Sequence, residues 1–291
     1  MDSQGEMGLL QRVMPARPVH VTQRTVSSEA ELQTALNEFG MTPFDLACGE
    51  NLRCGLFNLP AATERKQSQS QSQSQPKCIL AFCVHHAFFD GMSASLLQRE
   101  LASLFRGEEL DALPLQYLDY AQHENAWLSS EECKAGLEYW KRTLEGAESL
   151  VTDLPYDRPS TQQSPEAARV TVTISAPLRA ALEKWQAQSN STLFMTLMAS
   201  LQLLLHKITQ QTDVCVGSYS ANRYRPELEG LIGMFVNTLP YRVEIDPKRS
   251  FAELQAVVRS TALDVMRHSA VPFDLVVQMF TVWAFNDVAI H

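Results

Sequence analysis

Positive charge is in short supply. The chain has 24 lysines and arginines against 33 acidic residues, a formal net charge of −9 over 291 residues, and the basic residues are scattered. Nonspecific nucleic-acid binding needs a basic footprint, so this composition argues against it. Cysteine pairs are also missing: Cys48, Cys54, Cys78, Cys83, Cys133 and Cys215 form no CxxC and show no zinc spacing. Reduced thiols in a cytoplasmic protein are the plain reading. Long apolar runs are equally scarce. The opening MDSQGEMGLLQRVMPARP lacks the apolar run of a secretory signal. The one strongly apolar stretch, residues 191–208, is broken by Thr, Ser, Gln and His, which predicts a buried helix and not a membrane span. No repeat of domain size is evident.

What is present suits a mixed α/β protein of two lobes. The 45% hydrophobic content supports real cores. SSEAELQTALNEFG reads as a helix with a Ser28–Glu31 capping box and Gly40 as its stop. NLRCGLFNLP and KCILAFCV read as strands. Between them Gln67–Gln75, in an insertion over residues 66–76, alternates Gln and Ser and reads as a flexible loop lengthening a hairpin. After Gly91, Leu97, Leu101, Leu104 and Phe105 share one predicted helical face, ended by Gly107. A further helix follows a Ser129/Glu132 capping box and ends at Gly146. DLPYDRPSTQQSPEA then reads as a linker, placing one lobe at 1–153 and the second at 154–291. The second lobe opens with RVTVTIS, alternating as a half-buried strand, and a helix with proline in its first turn. The strand DVCVGSYS, the loop ANRYRPELEG, IGMFVNTLPYRVEI and a capped helix follow.

The densest chemistry lies in CVHHAFFDG, Cys83–Gly91. Successive strand residues face opposite ways, so His85 and His86 cannot both enter one site on a regular strand. A buried, hydrogen-bonded histidine is one reading. A metal site using His86 and Asp90 is another, though a third ligand of convincing spacing is missing. GMSAS has the start of a G-x-S-x-G nucleophile elbow but ends in Ser95 where glycine is required.

The segment is an HHxxxDG motif, and with it the chain resembles the condensation domains of nonribosomal peptide synthetases. Further blocks are similar in the family's order from about Thr42 to Phe280: FDLACGENLRCGLF, PLQYLDYAQHENAWL, YWKRTLEGAESLVTDLPYDRP, DVCVGSYSANRYRPELEGLIGMFVNTLPYR and HSAVPFD. The family's His-Glu-x-x-Arg opening is not found, and TVWAFNDVAIH stands where its continuation is expected. The resemblance therefore implies a two-lobed chloramphenicol-acetyltransferase-like α/β (α+β) fold, expected to be incomplete at both the N- and C-termini.

The resemblance also implies a reaction. A donor acyl or aminoacyl thioester on the phosphopantetheine of one peptidyl carrier protein domain meets the amine of an acceptor on another, and an amide forms. The domain binds no cofactor of its own and uses no metal. An adenylation domain is the expected neighbour, with no nucleic acid or membrane partner. The resemblance implies that the motif's second histidine, His86, takes the family's catalytic position; a neutral imidazole can accept or bond the amine proton. His85 packs on the other face. Asp90 is a structural anchor, with Arg223 as the cation expected to balance it, and Gly91 leaves room for the pantetheine arm. Gly233 permits close backbone approach, and Asn237, with Arg223, is assigned to substrate positioning. Two rivals stand beside this reading: a coenzyme A-dependent acyltransferase of the same superfamily, and a catalytically inactive fragment that only binds.

Overall fold

The computed structural model describes residues 11–60, 77–147, 150, 154–155 and 170–280. The chain divides into two compact units. The first takes Met1–Asp111 and Ile232–Met234, and the second takes Ala112–Leu231 and Phe235–His291. The expected boundary near residue 153 lies inside the second unit. The proposed linker (apart from residues 154–155) and the Gln67–Gln75 repeat fall outside the described residues.

The first unit is built on a three-stranded sheet. Strands β2 (Leu52–Leu59) and β3 (Lys77–Val84) form the expected hairpin, antiparallel from Leu52↔Val84 to Leu59↔Lys77. Strand β1 (Val21–Thr25) is not expected from its exposed, polar sequence; it pairs parallel with β2, from Val21↔Cys54 to Thr25↔Asn58. Helix α1 (Glu29–Met41) connects them. Its Leu32 and Ala35 pack with Val26 and Phe57 into a small buried cluster.

Ser28 caps α1 by accepting the Glu31 N–H at 3.1 Å. The reciprocal arm differs from expectation, because Glu31 accepts from the backbone N–H and hydroxyl of Ser27. Gly40 does not stop the helix either. The helix runs to Met41 and breaks at Thr42, which is extended and precedes Pro43, whose ring disfavours a helical neighbour.

Helix α2 (Gly91–Phe105) follows the histidine motif. It does not bury the face expected for it. Ser93 and Leu96 are buried and Leu97 and Leu101 half-buried, whereas Leu104 and Phe105 are exposed. Leu104 lies in the last turn, beyond the packed part of the helix, and Phe105 is rotated off its buried side.

In the second unit, α3 (Tyr117–Trp127) and α4 (Glu131–Thr143) come first. The cap of α4 is Ser130, one residue later than expected, accepting from Cys133 N–H at 3.1 Å. The last turn ends at Thr143, before Gly146. Residues 170–175 correct a second expectation. They are not a strand, and Val170 is 87% exposed. Alternation supplies a face to bury, but a strand also needs a hydrogen-bonding partner, and among the described residues none pairs with this segment.

Helices α5 (Ala176–Ser189), with Pro177 in its first turn, and α6 (Leu193–Thr209) lead to strand β4 (Asp213–Ser220), the short α7 (Pro226–Glu229) and strand β5 (Asn237–Glu244). β4 and β5 are antiparallel, Val214 opposite Val243. Helices α8 (Phe251–Arg267) and α9 (Phe273–Phe280) complete the unit.

Every odd position from Leu231 to Ile245 is buried, the period-two signature of a backbone with one face inward. Leu239, Tyr241 and Val243 of β5 pack with Val258, Ala262 and Val265 of α8 and with Trp140 of α4. The Trp140 indole N–H donates to the His268 carbonyl at 3.1 Å, so this buried tryptophan leaves no donor unsatisfied.

Helix α6 is only half the buried helix its sequence predicts. Its inner face is rich in polar groups: Gln202 Nε2 donates to the Tyr241 carbonyl at 2.9 Å, and Thr196 Oγ1 accepts from Gln255 Nε2 at 2.8 Å. Its outer face exposes Leu193, Leu197, Leu201, Leu204 and Ile208. Among the described residues no single helix is long and apolar enough to cross a membrane, and only the α5–α6 pair, bent by 101°, passes by length and composition together.

Candidate active site

The paired histidines stand where the β2–β3 hairpin ends. The last rung is His85 N–H to the Asn51 carbonyl, 2.9 Å, so His85 is still held by the sheet. The next three residues, His86–Phe88, turn into a single 3₁₀ turn capped by the His85 side chain, whose Nδ1 accepts the Ala87 N–H at 3.2 Å. That bond leaves the ring proton of a neutral His85 on Nε2. The His85 ring meets Phe44 edge-on at 5.9 Å and Phe88 at 6.2 Å. His86 is exposed, and among the described residues its imidazole has no hydrogen-bond partner. Neighbouring histidines thus have opposite employments: one is built into the fold and the other is available.

Asp90 is 2% exposed and is the N-cap of α2, its Oδ1 accepting the Ser93 N–H at 2.8 Å. A carboxylate at a helix N-terminus meets unsatisfied N–H groups and the positive end of the helix dipole. The aspartate thus caps the helix that follows the His86–Phe88 turn. Gly91 is exposed, and a Cβ built there would meet nothing within 4 Å. No crowding in the described structure demands glycine. Among the described residues no group of three or more His, Cys, Asp and Glu side chains converges as a metal site would require.

Arg53 carries no signal of its own in the sequence, yet it braces this loop. Its guanidinium lies 4.1 Å from the centre of the Phe44 ring and hydrogen-bonds the carbonyl of Thr42, with Pro43 O at 3.4 Å. Arg53 therefore holds Phe44, and Phe44 holds the His85 ring. A period-two reading of NLRCGLF can place Arg53 on a face of β2, but not against a phenylalanine nine residues earlier.

The residues expected to position substrate are placed as follows. Gly233 is buried, and both its backbone polar groups meet the hydroxyl of Ser93. Arg223 donates to the carbonyls of Leu228 (2.7 Å) and Leu231 (2.5 Å) and lies over the Phe235 ring at 4.0 Å. Asn237 donates both amide hydrogens, to Ser269 O at 2.8 Å and Val271 O at 2.7 Å, and accepts from Phe273 N–H at 3.0 Å. It ties the start of β5 to the segment HSAVPFD.

Residues 2–286 match the family model described as Condensation domain. The chain belongs to the condensation-domain family. The match begins well before Thr42, where the motif-based resemblance starts. This condensation-domain chain is 37% identical over 256 residues to a linear gramicidin synthase of Brevibacillus parabrevis, covering 86% of the chain and 5% of that protein. It is 36% identical over 242 residues to phosphinothricin tripeptide synthetase PhsC of Streptomyces viridochromogenes, covering 81% of the chain and 21% of that protein. Among solved structures, the X-domain from teicoplanin biosynthesis superposes with a TM-score of 0.80 at 25% identity, covering 97% of this chain and 61% of that one. A four-domain nonribosomal peptide synthetase bound to AMP and glycine gives 0.73 at 21% identity, covering 90% and 19%. The chain thus spans a small part of these synthetases and about three-fifths of the solved X-domain. The expected chloramphenicol-acetyltransferase-like α/β architecture stands.

Proposed function

We propose that this condensation-domain chain forms an amide between a carrier-bound acyl or aminoacyl thioester and an acceptor amine. The acceptor nitrogen attacks the thioester carbonyl carbon, a C–N bond forms, and the C–S bond breaks as the tetrahedral intermediate collapses. The proton lost by nitrogen passes through the His86 imidazole, and the released pantetheine thiolate takes up a proton. The observation carrying this reading is the division of labour at the end of β3. His85 is tied to Ala87 and packed between phenylalanines, while His86 is exposed just past the end of the β2–β3 hairpin. Asp90 caps the start of α2, the helix that follows the turn. Arg223 and Asn237 serve by bracing the loop before α7 and the start of β5. Partners are carrier domains bearing phosphopantetheine, with an adenylation domain as neighbour; the length of the relatives supports this setting.

The test supplies the chain with donor- and acceptor-loaded carrier domains in trans and follows condensed product on the acceptor. His86→Ala is expected to lose at least about a hundredfold in rate, the scale of a general acid–base contribution, with little change in melting temperature. His85→Ala is expected to melt lower. Equal rates for His86→Ala and wild type would sink the mechanism. Turnover with free coenzyme A thioesters but not loaded carriers would favour the acyltransferase alternative.

A second reading has one specific observation behind it. A solved relative, 26% identical with a TM-score of 0.77, is an X-domain in complex with OxyB from teicoplanin biosynthesis. The same fold can therefore serve as a docking platform. A wild-type chain that melts cooperatively, binds carriers and makes no product would support that reading.

A further inference from the structure

Ser93 belongs to the GMSAS stretch, but its environment is not that of a nucleophile. It is fully buried, and its hydroxyl donates to the Gly233 carbonyl at 3.0 Å while accepting the Gly233 N–H at 3.0 Å. One hydroxyl satisfies both backbone groups of a residue 140 positions away. One side chain thus supplies both bonds to the Gly233 backbone, as donor and as acceptor. The Ser93 N–H is in turn held by Asp90 Oδ1 at 2.8 Å. A continuous chain of hydrogen bonds therefore runs from the aspartate of the histidine motif, through the first turn of α2, to the glycine of GMFVNT.

We propose that Ser93 is a positioning residue for condensation, latching Gly233 to the first turn of α2 and so holding the Gly233 backbone in register with the turn that carries His86. The proposal rests on the reaction proposed above. A serine hydroxyl has one donor and two acceptor sites, so the latch works only with the oxygen present. Alanine would leave a buried N–H and a buried carbonyl without this partner. The segment around Gly233 would then shift to find others. Displacement of a reacting group by about 1 Å can cost on the order of a hundredfold in rate.

The experiment compares wild type, Ser93→Ala, Ser93→Thr and Leu96→Ala with loaded carriers in trans. Leu96 is buried on the same helix, so its truncation reports loss of stability without loss of the latch. Amide hydrogen exchange is followed over residues 229–238. Ser93→Ala is expected to speed exchange there and lower kcat roughly tenfold to a hundredfold, with KM for both carriers nearly unchanged. Leu96→Ala should melt lower and keep its kcat, and Ser93→Thr, which restores the hydroxyl, should recover most of the rate. Should Ser93→Ala fail to fold, Ser93→Cys, which retains volume but weakens both bonds, is expected to show a smaller fall in kcat. Wild-type exchange and kcat in Ser93→Ala, or a rate loss in Leu96→Ala matching that in Ser93→Ala, would overturn the latch alone. A wild-type chain that makes no product would overturn the reaction, and the positioning role with it.

Discussion

At the residue scale, two identical side chains in adjacent positions receive different duties because the backbone changes conformation between them. His85 keeps the last sheet hydrogen bond, and His86 begins the 3₁₀ turn. Asp90 shows how a motif residue can serve the fold. Its Oδ1 caps α2 from a buried position, so Asp90→Ala should cost about 1 kcal/mol through the lost cap. Asp90→Asn retains an oxygen acceptor and should sit between alanine and wild type. Urea denaturation of the three proteins checks the order. If asparagine proves as damaging as alanine, the charge itself matters, and the loss should approach the roughly 3–5 kcal/mol of a broken buried ion pair.

Among elements, the caps are the most legible features and also the ones misplaced by a single residue. Ser, Thr, Asp and Glu cluster around several helix starts, and the Ser129/Glu132 spacing points to Ser129 as the cap of α4. The φ and ψ of Ser130 decide in its favour over Ser129. Helix α8 is unambiguous: Ser250 accepts the Glu253 N–H, while Glu253 Oε2 accepts from the Ser250 N–H at 2.8 Å and hydroxyl at 2.7 Å. The backbone bond first, and the hydroxyl bond second, hold the Glu253 carboxyl below the ordinary glutamate value. A carboxyl with a depressed folded pKa stabilises the fold above its unfolded value, and that contribution is lost as pH falls through the folded value. Glu253→Gln should therefore flatten part of the acid limb of stability. The comparison is the denaturant midpoint at about pH 7 and about pH 3.5, on either side of the ordinary glutamate value. An equal fall in both proteins would show that the box contributes nothing titratable.

Taken as a whole molecule, the described residues bury their largest apolar cluster around β5 and α8, while the leucine stripe of α6 faces outward; Leu204 is 53% exposed. A contiguous apolar stripe of that kind is uncommon on a monomeric surface and marks a site of association. The 291-residue chain is expected to self-associate at concentrations on the order of tens of micromolar, as exposed apolar patches do. Leu197→Lys with Leu204→Glu should shift it towards monomer. Size exclusion with light scattering reads the result, and a wild-type chain that stays monomeric would refute the expectation.

Local chemistry was legible in the amino-acid sequence because its signals span only a few residues. The HHxxxDG motif and the order of the other blocks point to the family. The change of period between LRCGLFNL and the helices gives the hairpin and the element types. What depended on distant partners could not be read this way. VTVTIS alternates like a strand, yet no partner among the described residues turns it into one; VTQRT has little apolar character and becomes β1 because β2 offers its edge. The apolar stretch of α6 predicts a buried helix, but only the face with Gln202 and Thr196 turns inward. Arg53 against Phe44, Asn237 against the α8–α9 connection and Ser93 against Gly233 are likewise products of tertiary structure. Periodicity states which residues seek burial or a hydrogen bond, while only the assembled chain determines the atom that satisfies each one.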